Sequence, residues 1–194
     1  MNICIFGASS NRLDAVYFKA AEQLGERIAG SGHRLVFGGG ADGLMGACAR
    51  SALAAGGCVV GIAPKLFDEP GFLLRGCTEL IMTDSMADRK EKMLAMSEAF
   101  IALPGGIGTM DEFFETITLR QLGQLRGSLV LLNTNEFYRG LIDFLVKMAD
   151  QGFMSRNCLT LLRVCSTPEE ALRAAETPDK LVGGIRRLGD YTGS

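Results

Sequence analysis

Short, largely apolar runs stop at glycine or proline and hand over to helix-length segments, and this alternation limits what the chain can fold into more than any other feature. Residues 3–6 stop at Gly7, 34–37 at Gly38-Gly39-Gly40, and 99–103 at Pro104-Gly105-Gly106. Residues 58–62, 79–82, 128–132 and 161–165 read as further strands. Between them the apolar period predicts helices over 14–29, 44–55, 85–97, 109–122, 136–150 and 168–175. Strands that are apolar on both faces belong in a parallel sheet covered on both sides. Right-handed crossovers then make an α/β fold, a doubly wound, Rossmann-like sheet.

At 194 residues the chain is long enough to bury roughly 70% of its unfolded surface, so its core needs no metal or disulfide staple. We expect one nucleotide-binding-type domain over 1–176, followed by a polar, glycine-rich tail over 177–194 that is partly mobile. The net charge of -2 leaves no basic footprint for nucleic acid. The cysteines form no Cys-x-x-Cys pair and read as buried free thiols of a reducing compartment. His33 is the single histidine, so no His-based metal site is expected. No apolar run reaches the ~18–20 residues of a membrane span. The start reads as a first strand rather than a signal peptide, and the expected location is cytoplasmic.

Ligands of open parallel sheets bind beyond the C-terminal strand ends. Three glycine turns fall there, making Gly7, Ser9, Gly39 and Gly40 candidate contacts together with the loop from Gly105 to Thr109. Gly38, Gly40 and Gly43 match Gly-x-Gly-x-x-Gly, but the strand 58–62 runs into Ala63-Pro64-Lys65 without the ribose-binding acid, which disfavours NAD. Those glycines serve either a ligand or only a tight turn. The 105–109 turn opens a helix, so its N–H groups and the helix dipole suit an anion. Thr109 can cap that helix or bond a phosphate oxygen. No Walker loop occurs, so a monophosphate fits better than a triphosphate.

On the 85–97 helix, Met86, Met93 and Met96 form an apolar stripe with Arg89 inside it and Lys90 at its edge. A guanidinium on an inward face needs an anion, either an internal carboxylate or a ligand phosphate. On the 109–122 helix, Met110, Phe113, Phe114 and Ile117 form one apolar face. Glu112, Glu115, Leu119 and Leu122 form a second. The two glutamates are either partly desolvated, with raised pKa values, or an exposed pair favoured by the helix dipole.

Pro104-Gly105-Gly106-Ile107-Gly108-Thr109-Met110-Asp111-Glu112 resembles the PGGxGTxxE signature of the LOG ("lonely guy") proteins, cytokinin riboside 5′-monophosphate phosphoribohydrolases often labelled lysine decarboxylase-like. Gly7–Ser10, the 38–46 stretch, Met86-Ala87-Asp88-Arg89-Lys90-Glu91-Lys92-Met93, Gln121-Leu122-Gly123, Leu131–Asn133, Phe137-Tyr138 and Gly152-Phe153 add to the resemblance in order along about residues 1–165. It implies hydrolysis of the N-glycosidic bond of an adenosine 5′-monophosphate, usually N6-substituted, to free base and ribose 5-phosphate. It implies Arg89 and Glu112 as the catalytic pair. Lys90, the stretch Gly105, Gly106, Ile107, Gly108, Thr109, Met110, Asp111, and Thr118 are the implied substrate contacts, with Met86 beside them. It also implies a homodimer and no cofactor. Ala87 stands where the family often carries histidine, which bears on base preference.

In the chemistry so implied, Glu112 stabilises the oxocarbenium ion formed as C1′–N9 breaks, and Glu115 supports it. Arg89 and the 105–109 amides hold the 5′-phosphate. No residue stands out as general acid, and nothing marks a Schiff-base lysine for decarboxylation. Two other readings remain: a plain AMP nucleosidase, and a non-catalytic carrier of a phosphorylated cofactor such as molybdenum cofactor.

Overall fold

The computed structural model describes residues 1–178, so the expectation for the tail beyond them lies outside the described residues. The strands are β1 (Asn2–Phe6), β2 (Arg34–Phe37), β3 (Cys58–Pro64), β4 (Glu79–Thr83), β5 (Ala99–Ala102), β6 (Ser128–Leu132) and β7 (Arg163–Cys165). They form a seven-stranded sheet in the order β4-β3-β2-β1-β5-β6-β7, and every pair is parallel. The helices are α1 (Ala15–Gly30), α2 (Gly43–Ala54), α3 (Met86–Ala95), α4 (Ile107–Gln121), α5 (Arg139–Asp150) and α6 (Pro168–Glu176).

The central strands are buried along their length because helices cover both faces. One core joins Ile3, Ile5, Leu24, Ile28, Leu44 and Leu172, which places α1, α2 and α6 on one side. The other joins Cys4, Phe6, Met93, Phe100, Phe113 and Tyr138, with α3, α4 and α5 above it. Local signals agree with the ends of several helices. Ser85 Oγ accepts from the Asp88 N–H at the start of α3, and Thr167 and Glu170 cap α6 reciprocally ahead of Pro168.

Several boundaries depart from the sequence reading, among them two beyond β6. Leu161 closes a 3-10 segment, Arg156–Leu161, instead of opening the last strand. Asn135 and Glu136 have φ of 52° and 54°, a left-handed conformation that cannot continue into a right-handed helix, so α5 starts only at Arg139. The six cysteines are all free thiols, with Cys4, Cys48 and Cys158 buried and the others half-buried. No helix among the described residues is long and apolar enough to cross a membrane.

The chain runs outward from β1 to β4 and returns on the other side of β1 with β5. The loops after β1 and β5 therefore leave in opposite directions at the same sheet edge, the geometry that opens a crevice.

Candidate active site

Backbone hydrogen bonds hold the three glycine loops together at that crevice. The Ala8 N–H donates to the Pro104 carbonyl at 3.1 Å, and the Ala8 carbonyl accepts from the Leu44 N–H at 2.8 Å. Gly7 and Ser9 flank this junction. Gly39 is held from the other side, its carbonyl accepting from the Leu74 N–H at 2.9 Å, and Gly40 bridges to Leu73. The loop 105–109 thus lies beside the first loop, which itself abuts the start of α2.

Helix α4 begins at Ile107, two residues before the predicted start, so Thr109 is inside the helix and is not its cap. The cap is Gly106, which offers no side chain to the first-turn N–H groups. Gly106, Ile107 and Gly108 are exposed, and the Ile107 side chain is 90% exposed. Thr109 turns inward instead. A Cβ on Gly105 would fall 2.1 Å from Thr109 Oγ1, so that glycine is the space the buried threonine uses. The exposed amides at an uncapped helix start are suited to an anionic group.

The face that α4 buries is not one of the two apolar faces expected. Its buried residues are Thr109, Glu112, Phe113, Thr116 and Arg120, a stripe that is polar apart from Phe113. Phe114, placed with the apolar face by its spacing, is 38% exposed, as is Leu122 at 47%. A helix that turns polar groups inward does so because partners wait for them. Thr116 Oγ1 donates back to the Glu112 carbonyl at 2.7 Å.

Arg89 supplies the partner of Glu112. Helix α3 buries Arg89, Met93 and Leu94, while Met86 at its first position is 37% exposed rather than part of the buried stripe. Arg89 Nη1 lies 2.9 Å from Glu112 Oε1, and Arg89 Nε donates to the Ile62 carbonyl at the end of β3 at 3.3 Å. Of the two anions open to Arg89, the structure provides the internal carboxylate as the partner of Nη1. Burial pushes the Glu112 carboxyl above the ordinary range, and the adjacent guanidinium pulls the other way.

Lys90 is likewise engaged. Its Nζ lies 2.9 Å from Asp111 Oδ2 and 3.1 Å from Glu115 Oε2. The hydrogen bond to Asp111 leads the causes that raise its pKa, and Glu115 adds to it. Lys90, Asp111 and Glu115 therefore form one cluster beside the buried pair, with Met110 half-buried between helix and core. A groove of about 450 Å3 runs from this cluster between α3 and α4, lined by Ala87, Lys90, Leu94, Glu115, Leu119 and Leu125.

Thr118 does not join the others. It is exposed, eleven positions along α4 from Ile107, or roughly 16 Å at the helical rise. Sequence reasoning also missed Tyr138, whose buried hydroxyl donates to the Leu103 carbonyl at 2.6 Å just ahead of the 105–109 loop. The adjoining Phe137-Tyr138 aromatic pair was its only signal.

A family model described as "Possible lysine decarboxylase" matches residues 45–175. The cytokinin riboside 5′-monophosphate phosphoribohydrolase of Rhodococcoides fascians is 43% identical over 84% of this chain and 82% of that protein. A probable enzyme of the same name from Oryza sativa subsp. japonica is 38% identical, covering 90% and 78% of the two chains. One from Arabidopsis thaliana is 36% identical, covering 90% and 80%. Among solved structures, the molybdenum cofactor carrier protein of Chlamydomonas reinhardtii superposes with a TM-score of 0.69 at 22% identity, covering 89% and 94%. The molybdenum cofactor binding protein of Rippkaea orientalis gives 0.67 at 23%, covering 89% and 93%. At those identities the two structures speak for the fold alone. The length and level of the sequence matches show that this chain belongs to the LOG-type phosphoribohydrolase family, the one whose model bears the lysine decarboxylase description.

Proposed function

We propose that this chain hydrolyses the N-glycosidic bond of an adenosine 5′-monophosphate, N6-substituted in its preferred form, and releases the free base and ribose 5-phosphate. The observation that carries this reading is a buried carboxylate, Glu112, held by Arg89 one helical turn beyond the exposed, uncapped start of α4. An anion on the 106–108 amides and a sugar turned toward Glu112 fit that spacing. Relatives bearing the phosphoribohydrolase name over most of their length support it.

Breaking C1′–N9 leaves positive charge on the ribose, and an ionised carboxylate nearby lowers the energy of that state. Water adds its hydroxyl to C1′, and its remaining proton ends on the departing base. In this reading Glu112 stabilises the charge and orients the water, while Arg89 keeps Glu112 ionised in a buried position. The phosphate is held by the 105–109 amides with Gly7, Ser9, Gly39 and Gly40 around them. Its binding energy fixes the sugar for attack, so a nucleoside without phosphate reacts poorly. Lys90 sets Asp111 and Glu115 beside the site. Ala87 lines the groove next to it and bears on which N6 substituents are accepted.

Decarboxylation through a Schiff base needs a lysine that gives up its proton readily. Lys90 is held protonated by Asp111 and Glu115, which argues against that role.

We place the protein in the cytoplasm, with its free cysteines as support. We also assign it a homodimeric state. Phe114 and Thr118 on α4 and Leu122 at its C-terminal cap are spaced i, i+4, i+8 along one exposed line, and a second copy docked there would cover the two apolar side chains. That docking would also give Thr118 a role in a shared site. Incubation with AMP and an N6-prenyl AMP, with chromatographic detection of base and ribose 5-phosphate, tests the function. Release from AMP alone would point to a plain nucleosidase, and no release from either would end the proposal.

A further inference from the structure

The geometry points to Gly38 as a positioning residue for Arg89. A Cβ built on Gly38 falls 1.8 Å from Arg89 Nη2, 2.9 Å from Cζ and 3.3 Å from Nε. Its neighbour Gly39 has a φ of 76°, which itself favours glycine, whereas Gly38 has no left-handed φ. An alanine is therefore allowed by the backbone at 38, and what excludes it is the guanidinium.

Three strand or helix elements meet around that guanidinium. The end of β2 provides the space at Gly38, the Ile62 carbonyl of β3 accepts from Nε, and Glu112 of α4 receives Nη1. An exposed arginine tip would swing aside from an added methyl group at little cost. Here Arg89 is 6% exposed and hydrogen-bonded on two sides, so it cannot move without leaving Glu112. The glycine after β2 thereby acts at a distance on the carboxylate, without touching the substrate.

This inference rests on the proposed reading of Glu112 as the charge-stabilising group. It is tested by a cycle of Gly38→Ala, Arg89→Ala and the double variant. Gly38→Ala is expected to lower kcat roughly 10²-fold, as sub-ångström to ångström misplacement of a catalytic group does. KM should move far less, and the acidic limb of the pH profile should shift to higher pH as Glu112 loses its counter-charge. In the Arg89→Ala background the same change should cost no further activity. Equal losses in both backgrounds, or an unshifted pH profile, would overturn the proposal.

Thermal unfolding of the same variants reads the placement independently of turnover. Gly38→Ala should lower Tm in the native background and leave it nearly unchanged once Arg89 is alanine. A drop of equal size in both would show that the methyl group meets something other than the guanidinium. If the native chain releases no base from any nucleotide, the functional reading fails, while the unfolding cycle still decides the placement of Gly38.

Discussion

Arg89 Nη1 and Glu112 Oε1 lie 2.9 Å apart with each side chain 7% exposed, so a buried charge pair sits at the sheet edge where the glycine loops meet. Replacing the carboxylate by its amide keeps the volume and removes the charge. Glu112→Gln is expected to bind AMP, retain its far-UV circular dichroism and lose on the order of 10²–10³ in kcat. Base release by the variant at the native rate would remove Glu112 from the mechanism.

Taking away the other partner has a different signature. Arg89→Ala leaves a carboxylate buried without its counter-charge, a change that costs about 3–5 kcal/mol in such settings. Burial already raises the Glu112 pKa in the folded chain, and losing Arg89 raises it further. A folded-state pKa above the unfolded one means the folded state holds the proton more tightly. Stability is then lost as pH rises from the unfolded value toward the folded one. Urea titrations at acid and neutral pH should show the deficit of Arg89→Ala growing with pH. A deficit independent of pH would mean that Glu112 is not the group left behind.

The same raised pKa governs turnover in the native protein. The ionised form of Glu112 is the active one in the proposed reaction, so activity falls on acidification. The midpoint of that fall in kcat/KM should lie above 4.5, the ordinary glutamate value. A profile flat to below that pH would place the essential charge elsewhere.

Tyr138 holds the strand end that carries the 105–109 loop. Tyr138→Phe removes the donor from the buried Leu103 carbonyl and should cost about 1–2 kcal/mol of stability in denaturant titrations. Because the affected carbonyl immediately precedes the loop, a rise in KM for the nucleotide should accompany it. Unchanged stability would indicate that the carbonyl finds another donor.

Charge placed on the exposed line of α4 tests the assembly. Phe114→Glu combined with Leu122→Glu should convert a dimer into monomers in sedimentation velocity, since both side chains are more than a third exposed in the single chain. A native chain that already sediments as a monomer would dispose of the dimer.

Much of the architecture was legible in the chain itself. Apolar runs such as 3–6 and 129–132 have no polar face to show to water, which marks them as strands of a parallel sheet covered on both sides, and the turns at Gly7, 38–40 and 105–106 follow strands of that sheet. The inward position of Arg89 followed from its place among methionines, although the identity of its anion did not. Helix starts were less legible. The left-handed Asn135 and Glu136 leave no trace in hydrophobic period, and the α4 cap is a glycine that carries no side-chain signal.

The primary structure by itself determined the alternation of strand and helix, and with it a sheet whose loops converge at one edge, because periodicity is a property of neighbours along the chain. Only the tertiary structure decided that α4 buries Thr109, Glu112, Thr116 and Arg120 while exposing Phe114, that Arg89 answers Glu112, and that Gly38 makes room for it. Which face a helix buries depends on the partners that meet it across the fold. Those partners come from β2, β3 and α3, tens of residues away, where no local pattern can register them.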